Sequence, residues 1–323
     1  MKISVTGAAG FIGSNLCDFL LTQGHDVIGL DNLSTGRKEF LKDALTNPKF
    51  HFEKIDLIDE KKVFEVFHRT KPEWVIHLAA NADVRFGLSH PRKDLEQGTI
   101  VTFNVLEASR AVGAKKFAYS STGSVYGEPE VFPTPETCPF PVQTSLYAAS
   151  KLAGEALIQA YGEGYNIKGY IFRFVSILGE RYTHGHVYDF AKKLKANPNE
   201  IEILGDGNQQ KAYLYIGDCI RALWHVMSSC EEKINIFNLG PDEYINVNQS
   251  LDVICDVLKV KPKRNYTGGK RGWVGDSPFI FLDCKKLKST NWRAQKTIRE
   301  SVQLTLKYLL ENPWVLERRE DTK

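Results

Sequence analysis

The sequence predicts an α/β fold built on a doubly wound parallel sheet, and two observations support this prediction. Through the first half, short apolar runs alternate with segments of helical spacing, the order expected of parallel strands covered by helices on both faces. The first apolar run leads directly into a glycine-rich turn. The second half is less regular, with Pro, Gly and Asn around 197–208 and 262–278, and it indicates a smaller C-terminal α/β domain.

A strand, a turn and a helix are predicted in that order at the start of the chain. Met1 to Val5 is a short apolar run consistent with a buried parallel strand. Apolar residues at helical spacing then predict a helix over 11–21, and Gly24 follows as a stop signal.

Three glycines lie in the turn between that strand and that helix. Gly7 permits the tight turn, Gly10 lets backbone amides approach a pyrophosphate, and Gly13 lets the helix lie close to the strand. The helix N-terminus at Phe11 and Ile12 presents N–H groups and a positive dipole end to phosphates. This order favours a Rossmann-type dinucleotide-binding domain over a merely flexible turn.

The second strand, predicted over 26–30, ends at Asp31. A carboxylate at this place accepts hydrogen bonds from an adenosine ribose and repels a 2′-phosphate, so it favours NAD over NADP. Arg37 is the one feature that favours NADP, and we give it less weight than Asp31.

Further strands are predicted over 50–55, 74–78, 116–120 and 168–174, and helices over 61–70, 94–112 and 146–161. A last amphipathic helix is predicted near 298–310. Ligands of such sheets bind at the carboxyl ends of the strands. Those ends carry, besides the glycine turn and Asp31, the residues Asp56, Leu57, Ala79, Ala80, Asn81, Ser121, Thr122, Val175 and Ser176. We expect the loop at Asp56 and Leu57 to contact adenine.

Tyr147 and Lys151 are the candidate catalytic pair. Their spacing places them about one turn apart on one face of a helix. A phenol with an ordinary pKa of about 10 is a poor base at neutral pH, and a nearby ammonium group lowers that pKa. The pair therefore predicts a tyrosine that takes a proton from a sugar hydroxyl while hydride leaves the same carbon. An exposed helix with a partly buried tyrosine is the structural alternative.

Composition excludes several classes of protein. The chain has 323 residues, 42% hydrophobic and 25% charged, as in an ordinary globular protein. The net charge of +3 is spread along the chain, so we expect no nucleic-acid partner. Neither an apolar run of about 18 residues nor a leader is recognised, so we expect no membrane partner. Six cysteines without metal-like spacing predict reduced thiols in a cytoplasmic protein.

Several motifs occur in order with the spacing of one enzyme family. They are Gly7-x-x-Gly-x-x-Gly, Asp31-Asn-Leu-Ser-Thr-Gly, His77-Leu-Ala-Ala, Ser120-Ser-Thr-Gly-Ser-Val-Tyr-Gly, Tyr147-x-x-x-Lys and Tyr213-Leu-Tyr-Ile-Gly-Asp. With them, residues 1 to about 310 resemble the extended short-chain dehydrogenase/reductases, specifically the NAD-dependent nucleotide-sugar epimerase/dehydratase family. The resemblance implies NAD as cofactor, a nucleotide sugar as substrate, and a homodimer that pairs through helices 94–112 and 146–161.

The resemblance also implies roles for individual residues. Tyr147 is expected to be the general base, and Lys151 to hold both the nicotinamide ribose and the phenolate. Thr122 is expected to share the proton network at the reacting hydroxyl. Ser124 and Tyr126 are expected to line the sugar pocket, although core packing is the alternative for Tyr126. Further cofactor contacts are expected from Asn32, Asp56, Leu57, Ala79 and Ala80.

The residues after Thr122 bear on the choice among activities of this family. Related 4,6-dehydratases carry Asp-Glu there, whereas this chain has Gly123 and Ser124, which neither protonate a leaving hydroxyl nor abstract a proton from carbon. The resemblance therefore implies a 4-epimerase with a transient 4-keto intermediate. Net oxidation or reduction of a nucleotide sugar stays open as the alternative, and a catalytically silent NAD(H) sensor as a third.

The expected substrate residues depart from the family pattern. Ser176 stands where the usual Asn faces the diphosphate, and Lys211 stands where an Arg is common; lysine neutralises a phosphate without the bidentate fork of arginine. Arg173, Arg181 and Arg271 are further candidate anion partners. His184 and His186 lack a third ligand in sequence, so we interpret them as pocket polar groups and expect no metal.

Two domains are expected. Residues 1–175 form the Rossmann domain, to which 210–240 return. Residues 176–209 and 241–323 form the substrate-binding domain.

Overall fold

The computed structural model describes residues 1–81, 87, 89–140, 142–269 and 279–317. The described chain divides into two compact units. The first contains 1–129, 136–174 and 220–238, and the second contains 130–135, 175–219 and the residues from 239 onward. In this division residues 220–238 return to the first unit and residues 130–135 belong to the second.

The first unit is built on a seven-stranded sheet with the strand order β11-β6-β5-β4-β1-β2-β3. Strands β1 to β6 pair in parallel throughout, so the predicted α/β fold with a doubly wound sheet is confirmed. The strands are β1 (Lys2–Thr6), β2 (Asp26–Asp31), β3 (Phe50–Lys54), β4 (Trp74–His77), β5 (Lys116–Thr122), β6 (Lys168–Phe174) and β11 (Ile234–Leu239).

Helices alternate with these strands. They are α1 (Phe11–Thr22), α2 (Glu60–Thr70), α3 (Pro91–Asp94), α4 (Val101–Ala111), α5 (Leu146–Tyr165) and α7 (Ile216–Ser229), whose first residues, 216–219, belong to the second unit. The sequence predicts one α-helix over 94–112, but a π-helical stretch, Leu95–Ile100, joins α3 to α4. Asp59 caps α2 by accepting a hydrogen bond from the Lys62 amide. A buried cluster from both sheet and helices, including Val75, Val105 and Phe117, forms the core.

The second unit contains three small sheets, β7 with β10, β8 with β13, and β9 between β12 and β14. Its strands are β7 (Ser176–Leu178), β8 (Glu200–Ile203), β9 (Gln210–Lys211), β10 (Tyr213–Tyr215), β12 (Ile245–Asn246), β13 (Lys263–Tyr266) and β14 (Phe279–Ile280). Its helices are α6 (His186–Ala196), α8 (Val247–Leu258), α9 (Lys285–Ser289) and α10 (Ile298–Glu311). Capping boxes begin α8 and α10. Among the described residues, no helix has the length and apolarity that crossing a bilayer requires.

Candidate active site

The glycine turn joins β1 to α1 as the sequence predicts. Gly7 has a φ of +69°, and a Cβ on it would lie 2.9 Å from the Ala79 nitrogen. A Cβ on Gly13 would lie 2.0 Å from the Gly7 carbonyl oxygen, so only glycine lets the helix approach the turn this closely. Gly10 is the N-cap residue of α1, and the helix therefore begins with its amides at the carboxyl edge of the sheet.

Asp31 is fixed beside this turn. It is buried, and its carboxylate accepts hydrogen bonds from the Ala9 amide at 2.9 Å and the Leu33 amide at 2.7 Å. At the neighbouring strand end, the Asn32 side-chain amide donates to Asp56 at 3.3 Å. The carboxylate, the turn and the β3 loop thus form one continuous edge, the place where a bound adenosine ribose meets such a fold.

A buried hydrogen-bonded chain orders the end of β4. The Leu78 and Ala79 amides donate to the Thr6 hydroxyl at 3.1 and 3.2 Å, and this hydroxyl contacts His77 Nδ1 at 2.7 Å. Burial lowers the pKa of His77 to about 3, so its imidazole is neutral. Ala80 follows in the same loop and is partly buried. No role is predicted for His77 from the sequence; the available signal was a polar residue directly after three buried residues of the same strand.

The candidate catalytic side chains meet at the carboxyl end of β5. Ser145 caps α5 by accepting from the Ala148 amide at 3.1 Å, which places Tyr147 in the first turn. The Thr122 side chain acts on the Tyr147 phenol and lowers its pKa. Lys151 Nζ lies 5.9 Å from the centre of the Tyr147 ring and donates to the Ser120 carbonyl oxygen at 2.6 Å. The structure therefore brings together all three predicted catalytic residues.

Burial shifts the pKa values of both ionisable side chains of this group. Burial raises the pKa of Tyr147 to about 12, with the Thr122 hydrogen bond acting in the opposite direction and the charge of Asp94 raising it further. Burial lowers the pKa of Lys151 to about 7, against the opposing charge of Glu155. Desolvation has the largest effect on the pKa of this phenol in the protein alone, and lowering of that pKa by the lysine ammonium stays a prediction.

Comparisons with known proteins bear on this arrangement. Residues 3–240 match the NAD dependent epimerase/dehydratase family. The chain belongs to this family. It is 34% identical to a putative UDP-glucose 4-epimerase of Methanocaldococcus jannaschii over 315 residues, which cover 96% of this chain and 99% of the relative.

Solved structures of the family have the same fold. A UDP-glucose 4-epimerase of Thermotoga maritima, crystallised with UDP-glucose, is 32% identical with a TM-score of 0.87 and covers 97% of this chain and 100% of its own. A UDP-glucose 4-epimerase of Thermus thermophilus in complex with NAD is 32% identical with a TM-score of 0.85, covering 96% and 99%. The chain is thus an NAD-dependent epimerase of the extended short-chain dehydrogenase/reductase type.

NAD is the cofactor of the family, and the residues of this chain fit it. The glycine turn leaves the space that a Cβ would fill, and the Asp31 carboxylate stands at the end of β2 with two amides holding it in place. Leu57 is buried, and its carbonyl oxygen accepts from the Asn104 side chain at 2.9 Å, so its backbone orders the loop expected to contact adenine.

Arg173 and Tyr126 are expected to contact the substrate, but both side chains are buried. Arg173 is buried and forms an ion pair with Glu155 at 2.7 Å. Tyr126 is 1% exposed; its hydroxyl donates to Asn238 at 2.8 Å and accepts from Arg173 at 2.8 Å. The expectation that Tyr126 lines the sugar pocket does not fit this burial, and core packing, the alternative, does. Ser124 is partly buried, and its amide donates to the Thr122 hydroxyl at 3.1 Å.

The other expected substrate residues that the structure describes lie in the second unit. Ser176 is exposed and pairs with Tyr213 in the short sheet of β7 and β10. Lys211 is partly buried on β9, between β12 and β14. Arg181 is partly buried with a φ of +67°. Arg271 lies outside the described residues.

His186 is a further polar group of this unit. Its Nε2 contacts the Ser250 hydroxyl at 2.6 Å, and its ring lies 4.7 Å from that of Tyr213. Burial, together with the charge of Lys211, lowers the pKa of His186 to about 3, so the ring is neutral. Within the part of the chain that the structure describes, no three or more His, Cys, Asp or Glu side chains are grouped so that they could hold a metal ion.

Proposed function

We propose that this chain is an NAD-dependent nucleotide-sugar 4-epimerase that acts through a transient 4-keto intermediate. The observation that carries the proposal is the position of Lys151, whose Nζ lies 5.9 Å from the centre of the Tyr147 ring, with Thr122 acting on the same phenol. Relatives named as UDP-glucose 4-epimerases support a uridine diphosphate sugar as the substrate class.

In this mechanism Tyr147 takes the proton of the sugar 4-hydroxyl. NAD supplies the acceptor for the hydride that leaves C4 and returns the hydride to the opposite face, so no net redox occurs. Thr122 hydrogen-bonds the phenol and stabilises its anion, which the direction of its effect on the Tyr147 pKa supports. The positive charge of the oxidised nicotinamide opposes the effect of burial on that pKa. Tyr147 then returns the proton when the ketone is reduced.

The residues beside Thr122 favour this reaction over dehydration. Gly123 and Ser124 begin a short 3-10 helix, and neither side chain is an acid or base at neutral pH. Elimination of water needs a group that protonates the leaving hydroxyl and one that removes a carbon-bound proton. Reversible oxidation at one carbon needs, besides NAD as the hydride acceptor, only the group formed by Tyr147, Thr122 and Lys151.

The test is a panel of UDP-, GDP-, CDP- and dTDP-sugars incubated with purified protein, with NADH absorbance and product NMR followed together. We expect a UDP-sugar to give its C4 stereoisomer without stoichiometric NADH. Accumulating NADH or a stable ketone would support the net oxidoreductase instead. A 4-keto-6-deoxy product would overturn the argument from Gly123 and Ser124. No turnover with intact NAD binding would favour the sensor.

We also propose a cytoplasmic homodimer that pairs through α4 and α5. The exposed face of the π-helical stretch and α4 carries Ile100 and Phe103, 37% and 41% exposed. Glu107 follows on that face and accepts hydrogen bonds from Arg110 and from Tyr161 of α5, so the two helices present a joined surface. Phe103→Glu is expected to give a monomer in light-scattering chromatography, and an unchanged mass would contradict the pairing.

A further inference from the structure

Tyr119 places its ring against the lysine of the catalytic group. The Lys151 ammonium lies 4.7 Å from the centre of the Tyr119 ring, within the distance of about 6 Å at which a cation is attracted to an aromatic face. The same Nζ donates to the carbonyl oxygen of Ser120, the next residue on β5, at 2.6 Å. Two neighbouring residues of one strand therefore hold the lysine head group.

The ring is held in this position from both sides. A Cβ on Gly154 would lie 2.3 Å from the Tyr119 hydroxyl oxygen, so the absence of a side chain there admits the tyrosine beneath α5. On the other side the His77 ring is stacked with that of Tyr119 at 5.9 Å and an interplanar angle of 19°. Tyr119 is 1% exposed, and burial raises its pKa well above the usual range, so its phenol is neutral.

The environment of Lys151 shows why its contact with the Tyr119 ring affects the charge of the lysine. Lys151 is 2% exposed, and desolvation of a buried amine favours its neutral form. Of the groups around it, Glu155 favours the ammonium, but this carboxylate is itself paired with Arg173. His77 is uncharged and Tyr147 is protonated at neutral pH, as their pKa values of about 3 and about 12 require. The charge of Asp94 raises the pKa of the Tyr147 phenol.

We propose that Tyr119 is a positioning residue whose ring face holds the Lys151 side chain in place and favours its ammonium form. The inference rests on the proposed function in one respect, because that function requires Lys151 to carry its positive charge. Tyr119 acts through Lys151 and takes no proton itself.

The test measures the ionisation of Lys151 directly in NAD-saturated protein labelled with 13Cε-lysine, with Lys151→Met to assign the resonance. Tyr119→Phe keeps the ring and is expected to leave the titration unchanged. Phenylalanines carrying one, two and three fluorines at position 119 keep the shape but withdraw electrons from the ring face. We expect these to lower the pKa of Lys151 in steps that add up to about one unit. Fluorinated phenylalanine at Phe67, in the same core, is the matched control.

Activity gives the second readout. The basic limb of the pH profile of kcat/KM is expected to move to lower pH in the same steps, because less ammonium remains at a given pH. An unshifted Lys151 titration in the trifluorinated variant, or an equal shift from fluorination at Phe67, overturns the role of Tyr119. The two proposals fail separately: a wild-type protein without epimerase activity overturns the function, whereas the NMR titration needs no turnover.

Discussion

Removing the Thr122 hydroxyl separates a proton network from a simple structural contact. Thr122→Val keeps the shape of the side chain but removes the hydroxyl, and with it the effect of Thr122 that lowers the pKa of the Tyr147 phenol. A hydrogen bond to a charged group contributes about 1.5–3 kcal/mol, which corresponds to a fall of about 10- to 150-fold in kcat if the bond forms to the phenolate. We expect KM to change little, because the bond strengthens only as the proton leaves.

The same substitution is expected to shift the pH profile of kcat/KM in one direction. The Thr122 hydrogen bond lowers the pKa of Tyr147, so its loss raises that pKa. Less phenolate is then present at a given pH, and the limb of kcat/KM that reports the base moves to higher pH. The assay is steady-state epimerisation of a UDP-sugar between about pH 6 and 10, the span that brackets an ordinary imidazole and phenol.

Thr122→Ser is the matched control, because it keeps the hydroxyl that also accepts from the Ser124 amide at 3.1 Å. We expect the serine variant to stay close to wild type in kcat. The reasoning is refuted if the valine variant keeps wild-type kcat, or if serine loses as much as valine. Thermal unfolding of both variants checks that the fold is intact.

Three further predictions concern the same site. Tyr147→Phe is expected to lower kcat by about 10²- to 10⁴-fold or more through loss of the base, while NAD binding measured by calorimetry stays near wild type; near-normal turnover would contradict the assignment. Gly13→Ala forces a methyl group to within 2.0 Å of the Gly7 carbonyl oxygen, so we expect weaker NAD binding and a lower Tm, and unchanged values for both would show that the turn relaxes. Asp31→Asn removes the charge that repels a 2′-phosphate, and we expect the ratio of NAD to NADP affinity to fall; an unchanged ratio would assign cofactor choice to other residues.

The cofactor half of the fold was predictable because local signals and tertiary structure agree there. Gly7 and Gly13 are predictable from the backbone conformation that the turn requires, and Asp31 from the contacts that an adenosine ribose makes. Each of these signals lies within one short segment of the sequence. The pairing of Tyr147 with Thr122 is different, because the two residues lie on different elements, α5 and the end of β5. No local pattern indicates that they act together, and only the resemblance to a known family predicts it.

What the sequence did not predict depends on burial. The pKa values of Tyr147 and Lys151 follow from desolvation, which no spacing of residues reveals. Tyr126 follows strand β5 in the sequence, at a place where a pocket residue is expected. Its hydroxyl instead donates a hydrogen bond to Asn238, which is 112 positions away in the sequence. The π-helical stretch over 95–100 likewise has no periodic signal that separates it from an α-helix.

The ion pair of Glu155 with Arg173 limits how this chain can diverge. Glu155 is 0% exposed and Arg173 2%, and removing one member of such a pair costs about 3–5 kcal/mol, whereas replacing both with well-packed apolar residues is often neutral. A substitution at either position alone is expected to remove a large share of a free energy of unfolding of about 5–15 kcal/mol. Descendants of this chain are therefore expected to retain both residues or exchange both, so the two positions evolve as one unit.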